Sequence, residues 1–148
     1  MSSLGLVQQY SLRALRDDRD QDAVHALRRA VFIDEQNVAE DEEWDARDAQ
    51  SLQLLIENHA GEVVATGRLL PEGRIGRMAV RKDCRGQGLG AMLMRAFVAL
   101  ARKKKLDELV LDAQVHAISF YKKFGFDVDS DVFMDAGIAH RRMRRSLR

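Results

Sequence analysis

Arg85-Gly86-Gln87-Gly88-Leu89-Gly90 stands between an apolar stretch and a long amphipathic stretch of this 148-residue chain. Glycine lacks a Cβ atom and accepts positive φ, so three glycines at alternate positions let backbone N–H groups converge on an anion. A helix that begins here adds unpaired N–H donors and the positive end of its dipole. The segment 85–90 therefore predicts a turn that binds a pyrophosphate.

The residues around this turn alternate between strand and helix patterns. Hydrophobic periodicity predicts strands at 8–15, 52–57, 63–70, 74–80, 109–111, 127–133 and 138–143, and helices at 20–32, from 89 to about 101, and at 117–124. Short connections at 59–62 and 71–73 favour hairpins, so the middle strands should be antiparallel. The class is α/β (α+β), and residues 1–148 are expected to form a single domain.

Composition restricts the partners. A net charge of +1 argues against bulk attraction to nucleic acid or to an acidic membrane. The single cysteine, Cys84, excludes an intramolecular disulfide and a multi-cysteine metal site, and no metal is expected. Residues 1–7 lack the pattern of a secretory signal, and no apolar run reaches membrane-spanning length. We expect a cytoplasmic protein.

The glycine turn has a competing interpretation. Gly86, Gly88 and Ala91 fit the G-x-G-x-x-A pattern of dinucleotide-binding units, and Asp112 closes the next strand. However, the mostly charged residues 81–85 separate the first glycine from its strand, and too little chain follows Asp112 for a doubly wound sheet. Dinucleotide binding is therefore the weaker alternative.

A second motif, QVHAISFYKKFGF at 114–126, changes the balance. With the glycine turn it resembles the GCN5-related N-acetyltransferase (GNAT) superfamily. The cofactor loop of that family, Q/R-x-x-G-x-G/A, is matched by Arg85, Gly88 and Gly90, and its later segment, N-x-x-A-x-x-L/F-Y-x-K-x-G-F, by residues 114–126 with Gln114 where Asn is usual. Residues 31–36 and 137–140 resemble the ElaA/YjcF-type branch of small acetyltransferases.

The resemblance implies a GNAT fold, with a mixed, mostly antiparallel central sheet of about six to seven strands flanked by helices. It also implies acetyl-CoA as co-substrate and direct transfer of the acetyl group to a primary amine, of a small molecule or a peptide, in a ternary complex. The cofactor-binding residues it implies are Met78, Ala79, Val80, Arg85, Gly86, Gln87, Gly88, Leu89, Gly90, Ala91 and Gln114.

Tyr121 is the candidate general acid, because a phenol stays protonated near neutral pH and can donate to the departing thiolate. Phe120 and Phe124 share one helical face, which should turn Tyr121 away from the core toward a different surface. Glu35 completes the predicted catalytic set as a candidate base. The other candidate bases are Asp112, His116 and His140.

Residues 34–48, the acidic segment, hold eight carboxylates, Trp44 and a single Arg47. Such charge density predicts a mobile loop with at most one helical turn. By resemblance this segment lies on the acceptor side and would favour a cationic amine, although a solvated loop that balances the basic C-terminus explains it equally well. An acetyl-CoA sensor without turnover and a homodimer remain open. A polyanion-binding tail at 141–148 is a weak alternative, because the molecule is nearly neutral, and a strand edge or tail facing water is expected there.

Overall fold

The computed structural model describes residues 9–148, so residues 1–7 and the first residue of the strand predicted at 8–15 lie outside the described part. The strands are β1 Ser11–Ala14, β2 Leu52–Glu57, β3 Val63–Leu69, β4 Ile75–Val80, β5 Glu108–Gln114, β6 Asp127–Val128, β7 Phe133–Asp135 and β8 Ile138–Ser146. The α-helices are α1 Asp18–Arg28, α2 Glu40–Glu43, α3 Leu89–Lys103 and α4 Ile118–Lys122. A π-helical segment covers Arg29–Glu35, and 3-10 turns cover Ala46–Gln50, Lys82–Cys84 and Val115–Ala117.

Two antiparallel sheets form the centre of the molecule. One has the order β1-β2-β3-β4, and the other the order β5-β8-β6, with β7 also paired to β8. The expected α+β class is confirmed, but residues 9–148 contain eight strands in two sheets rather than six or seven in one. The predicted strand at 127–133 is divided into β6 and β7, which bond different parts of β8. Within residues 9–148 no helix is both long and apolar enough to cross a membrane.

Helix α3 covers the sheets with one apolar face. Leu89, Leu93, Met94, Phe97 and Ala101, spaced three or four residues apart, are all buried in it. A Cβ atom at Gly67 would lie 2.9 Å from Cε2 of Phe97, so this glycine lets α3 approach β3. The helix is thereby held at the junction of the two sheets, where its N-terminus can serve a site.

Strands β4 and β5 meet at one end only. The N–H of Val110 donates to the carbonyl oxygen of Gly73 at 3.0 Å, and Arg74 and Val110 form an isolated parallel bridge. A Cβ at Gly73 would lie 2.5 Å from the carbonyl oxygen of Glu108, so only glycine fits this crossing. No further pairing joins β4 to β5 in the described part of the chain. The strands therefore separate toward their carboxyl ends.

A bulge in β4 adds to this separation. Thr66 pairs with Ala79 and Arg68 with Gly76, so the single residue Gly67 faces two residues of β4. One of these, Arg77, has φ of 52°. A bulge with a positive-φ residue bends its strand and increases the local twist.

The segment 34–48 contains the helical turn that the prediction allowed, α2, and is also anchored by arginines from elsewhere in the chain. Three arginines and three carboxylates form a buried ion network. Arg28 contacts Glu43 at 2.7 Å and Asp48 at 2.9 Å, and Arg68 contacts Asp45 at 2.7 Å and Asp48 at 2.9 Å. Arg77 contacts Glu43 at 3.4 Å and Asp45 at 3.2 Å. Glu43 is only 2% exposed, and burial raises its pKa. The partners come from α1, β3 and β4, so residues 34–48 alone could not reveal them.

Two other predictions need correction. The helix predicted at 20–32 is α-helical only to Arg28 and then widens into the π-helical segment. The basic C-terminus is not a free tail, because each arginine of 141–148 donates to a carbonyl or carboxylate oxygen; the acceptors are Ser130, Asp112, Asp129 with Glu108, Phe124 and Asp107. By contrast, Gly125 follows α4 with φ of 84°, as expected for a helix stop.

We expect Arg28→Met to lower the free energy of unfolding by about 3–5 kcal/mol, since it leaves the buried carboxylate of Glu43 without its closest cation. Arg29→Met is the matched control, because the ion pair of Arg29 with Glu40 is exposed to solvent and should contribute little to stability. Urea denaturation of both variants measures the difference. Equal losses would contradict a stabilising role of the network.

Candidate active site

A cleft of about 790 Å³ opens where β4 and β5 separate. Its walls come from the π-helical segment, α2, β4, the end of β5, α4 and the turn between β7 and β8. Among the predicted site residues, Met78, Ala79, Val80, Arg85, Gln114, Tyr121 and Glu35 all line it. Residues far apart in sequence thus face one cavity, but of the predicted cofactor-binding residues 85–91 only Arg85 is among those that line it.

The turn at 85–90 has positive φ at two of its three glycines. Gly86 and Gly88 have φ of 79° and 83°, and α3 begins directly after Gly88, where no side chain of residues 9–148 caps its first N–H groups. The third glycine has a different role, because a Cβ at Gly90 would lie 3.3 Å from Cζ of Phe120. Uncapped helix donors beside two positive-φ glycines fit an anionic group such as a pyrophosphate.

Strand β4 exposes one backbone edge to the cleft. The N–H of Arg81 donates to the carbonyl oxygen of Val64 on β3 at 2.8 Å. Because successive residues of a strand direct their polar groups to opposite edges, the N–H and C=O of Val80 face away from β3. The carbonyl oxygen of Val80 accepts from Nε of Arg85 at 3.0 Å, which agrees with this direction. The N–H of Val80 is thus a donor on the open edge.

Two contacts connect the π-helical segment to the opposite walls. Arg85 donates to both carboxylate oxygens of Glu35, at 2.6 and 2.8 Å, and these hydrogen bonds lower the pKa of Glu35. The amide of Gln114 donates to that of Gln36 at 3.0 Å across the cleft. A π-helix is rare and tends to occur at functional sites. Here its widened turn brings Glu35 and Gln36 to the two walls.

Tyr121 lines the cleft, but its ring is not turned away from the core as predicted. The ring packs against the main hydrophobic cluster, with its centroid 5.0 Å from that of Phe120 and 6.4 Å from that of Phe126, in both cases edge to face. Burial raises the pKa of Tyr121 to about 12. The phenol is therefore held protonated and rigid at one wall.

The other candidate bases differ in their surroundings. Asp112 accepts from Arg74 at 3.1 Å and from Arg142 at 3.2 Å, so two cations hold its carboxylate. His116 is exposed on the 3-10 turn after β5. The Nδ1 atom of His140 lies 2.7 Å from the carbonyl oxygen of Ile138. All three line the same cleft.

Sequence analysis missed two contacts of the site. The hydroxyl of Tyr10 donates to Oε1 of Gln87 in the glycine turn at 2.5 Å, and Gln36 meets Gln114. Gln36 ends the stretch 31–36 that carried the family resemblance, so it could have been singled out. Nothing in the sequence near Tyr10 points to a turn 77 positions away.

Comparisons with known proteins agree with this geometry. The model of the acetyltransferase (GNAT) domain family matches residues 15–147. YjcF of Bacillus subtilis, described as an uncharacterized N-acetyltransferase, is 34% identical over 137 residues, which cover 89% of this chain and 96% of YjcF.

Two solved structures show the same architecture. ElaA of Escherichia coli superposes with a TM-score of 0.83 at 28% identity, and the matched region covers 93% of this chain and 99% of the ElaA chain. An acyl-CoA N-acyltransferase of Pseudomonas aeruginosa superposes with a TM-score of 0.81 at 30% identity, and the matched region covers 93% of this chain and 98% of that chain. The chain belongs to the GNAT family, is similar to its ElaA and YjcF members, and is an acyltransferase.

Proposed function

We propose that this acyltransferase moves the acetyl group of acetyl-CoA directly to a primary amine in a ternary complex. GNAT acetyltransferases generally use acetyl-CoA. The observation that carries the proposal is the opening between β4 and β5, which Arg85 lines just before the glycine turn and the N-terminus of α3. An elongated cofactor whose pantetheine arm leads to a pyrophosphate fits a slot with unpaired backbone donors along one side and an anion site at one end.

When bound, acetyl-CoA supplies the acetyl thioester. Backbone N–H groups of residues 86–91 would hold its pyrophosphate, and the open edge of β4 at 78–80 its pantetheine arm. The N–H of Val80, on that open edge, would donate to the acetyl oxygen as negative charge develops there. A pre-positioned backbone donor in a partly dry cleft stabilises such charge without reorganising.

Tyr121 is the proposed general acid. Its pKa of about 12 keeps the proton on the phenol throughout the range in which an enzyme works. A thiol is a stronger acid than this phenol, so the proton would have to move while the C–S bond breaks and negative charge develops on the sulfur. Because the ring is fixed by Phe120 and Phe126, the hydroxyl stays at one place in the cleft.

Glu35 is better placed to position Arg85 than to accept a proton. Both of its carboxylate oxygens are occupied by the guanidinium, and the lowered pKa makes it a weaker base. The same guanidinium holds the carbonyl of Val80. Glu35 would therefore act through Arg85, by fixing the connection between the π-helical segment, β4 and the glycine turn.

We still propose a cationic amine as the acceptor, but fewer carboxylates of residues 34–48 support this than the sequence suggested. Glu43, Asp45 and Asp48 are balanced by the three arginines of the buried ion network, so they attract little. Glu42 is the residue of α2 that is exposed, lines the cleft and has no ion pair within residues 9–148. It is the carboxylate of this segment that is free to meet an amine.

Acetyl-CoA should raise the thermal stability of the wild type, by about 2.7 kcal/mol at a hundredfold excess over the dissociation constant. Gly88→Val should abolish this shift, because a side chain there enters the space of the pyrophosphate. Gly61→Val is the matched control, since Gly61 has φ of 80° and equally open surroundings but lies in the hairpin between β2 and β3. Both variants lose about 1–3 kcal/mol to backbone strain. Calorimetry that detects no binding of millimolar acetyl-CoA to the wild type would refute the proposal.

Tyr121→Phe should lower kcat by about tenfold to a thousandfold and leave acetyl-CoA affinity intact, since the ring remains and only the proton is lost. Tyr10→Phe removes the other tyrosine hydroxyl, which bonds Gln87, and should affect cofactor affinity rather than kcat. Steady-state kinetics and calorimetry on both variants give the comparison. An unchanged kcat in Tyr121→Phe would remove the phenol from the mechanism and leave a sensor role open if the wild type also shows no turnover.

Glu42→Gln should raise KM for a polycationic amine by several-fold at low salt, with less effect at 0.15 M salt, where exposed charges are screened over about 8 Å. Asp41→Asn is the control, because Asp41 is exposed next to Glu42 but does not line the cleft. Acceptor panels assayed at two salt concentrations measure the effect. An acceptor preference indifferent to Glu42 and to salt would mean that a cationic amine is not selected here.

A further inference from the structure

His140 lies where the two sheets open. It is in β8, directly opposite Gln114 at the end of β5, close to the point where Gln114 reaches across to Gln36. Its side chain lines the cleft that also holds Tyr121. The histidine therefore shares the cavity with the proposed acid but comes from β8, next to the turn between β7 and β8.

The ring of His140 has a defined tautomer. Its Nδ1 atom is 2.7 Å from the carbonyl oxygen of Ile138, and a carbonyl can only accept, so Nδ1 carries a hydrogen. In the neutral imidazole the lone pair then belongs to Nε2. The ring of Phe133 stacks on it, with the centroids 6.0 Å apart and the planes at 21°. This is the arrangement of an oriented base: one nitrogen anchored to backbone and the other free to accept.

This orientation rests on a tight hairpin. Strands β7 and β8 pair from Phe133 opposite His140 to Asp135 opposite Ile138, which leaves only Ala136 and Gly137 in the turn. Both have positive φ, 51° and 76°, as a two-residue hairpin turn requires. The short turn places Phe133 and the Ile138 carbonyl on the same histidine, so the ring is held from two directions.

None of the other candidate bases has an acceptor atom that is both unoccupied and oriented by a hydrogen bond in the described residues. The carboxylate of Glu35 is occupied by Arg85, and that of Asp112 by Arg74 and Arg142. His116 is exposed, and no hydrogen bond to its ring is found among residues 9–148 that would select a tautomer. Of the four candidates, only His140 combines a position in the cleft, an anchored donor nitrogen and an acceptor nitrogen that has no partner in the part of the chain that the structure describes.

We propose that His140 is the general base of the transfer, an assignment that rests on the proposed function. Nε2 takes a proton from the acceptor nitrogen, directly or through one water, as the N–C bond forms. The C–S bond breaks, and the departing sulfur receives the proton of Tyr121. One proton thus leaves the amine and one reaches the thiol; imidazolium and phenolate return to their starting forms by exchanging protons with each other through solvent.

His140→Asn is the informative variant, because the asparagine amide can keep a donor to the carbonyl of Ile138 while the acceptor nitrogen is lost. We expect kcat/KM for an accepted amine to fall about a hundredfold or more, the scale of one general base, with acetyl-CoA affinity and thermal stability unchanged. His59→Asn, the same change in an exposed hairpin turn, is the control and should keep wild-type kinetics. In His140→Ala, added imidazole should restore turnover in proportion to its concentration.

The outcomes distinguish a wrong assignment of the general base from a wrong proposed function. The assignment to His140 is overturned, and the acetyltransferase proposal stands, if kcat/KM of His140→Asn is within threefold of wild type. The same holds if imidazole does not rescue His140→Ala and Glu35→Gln loses more activity than His140→Asn. A wild type that binds no acetyl-CoA and acetylates no amine in the panel overturns the proposed function itself. Loss in His140→Asn with imidazole rescue of His140→Ala supports both.

Discussion

Strands β4 and β5 are joined by one backbone bridge, between Arg74 and Val110, and the whole cleft depends on that limited contact. Continuous pairing would close the sheet and use the donors on the edge of β4. The absence of a Cβ at Gly73 lets the strands touch at the crossing, and the bulge at Arg77 bends β4 farther along. A slot with unpaired backbone on one side follows from these local features.

The buried ion network supports the opposite wall of the slot. Arg28, Arg68 and Arg77 come from three elements and converge on Glu43, Asp45 and Asp48, so the charges cancel within the wall. Arg68 lowers the pKa of Asp45 to about 2, which keeps that carboxylate charged down to acidic pH. The network thus serves mainly to hold α2 beside β4, and little of its charge is left to attract a substrate from solution.

Backbone and side chains divide the chemistry between them. The glycine turn, the start of α3 and the edge of β4 offer N–H groups, which suit a cofactor with a constant structure. The residues proposed to move protons are side chains on separate elements, Tyr121 on the helical side and His140 on β8. Such a division lets the acceptor side of the cleft change between relatives without disturbing the cofactor side.

The sequence alone determined the α+β class, the glycine turn before a helix, the antiparallel middle strands and the family, because these depend on local periodicity and short motifs. The role of the acidic segment and the state of each candidate base were decided only by tertiary structure. Their partners lie far along the chain: Arg85 for Glu35 is 50 residues away and Arg142 for Asp112 is 30. Such neighbours decide whether a carboxylate or an imidazole is reactive, and the local sequence does not predict which arginine or carbonyl will lie beside it.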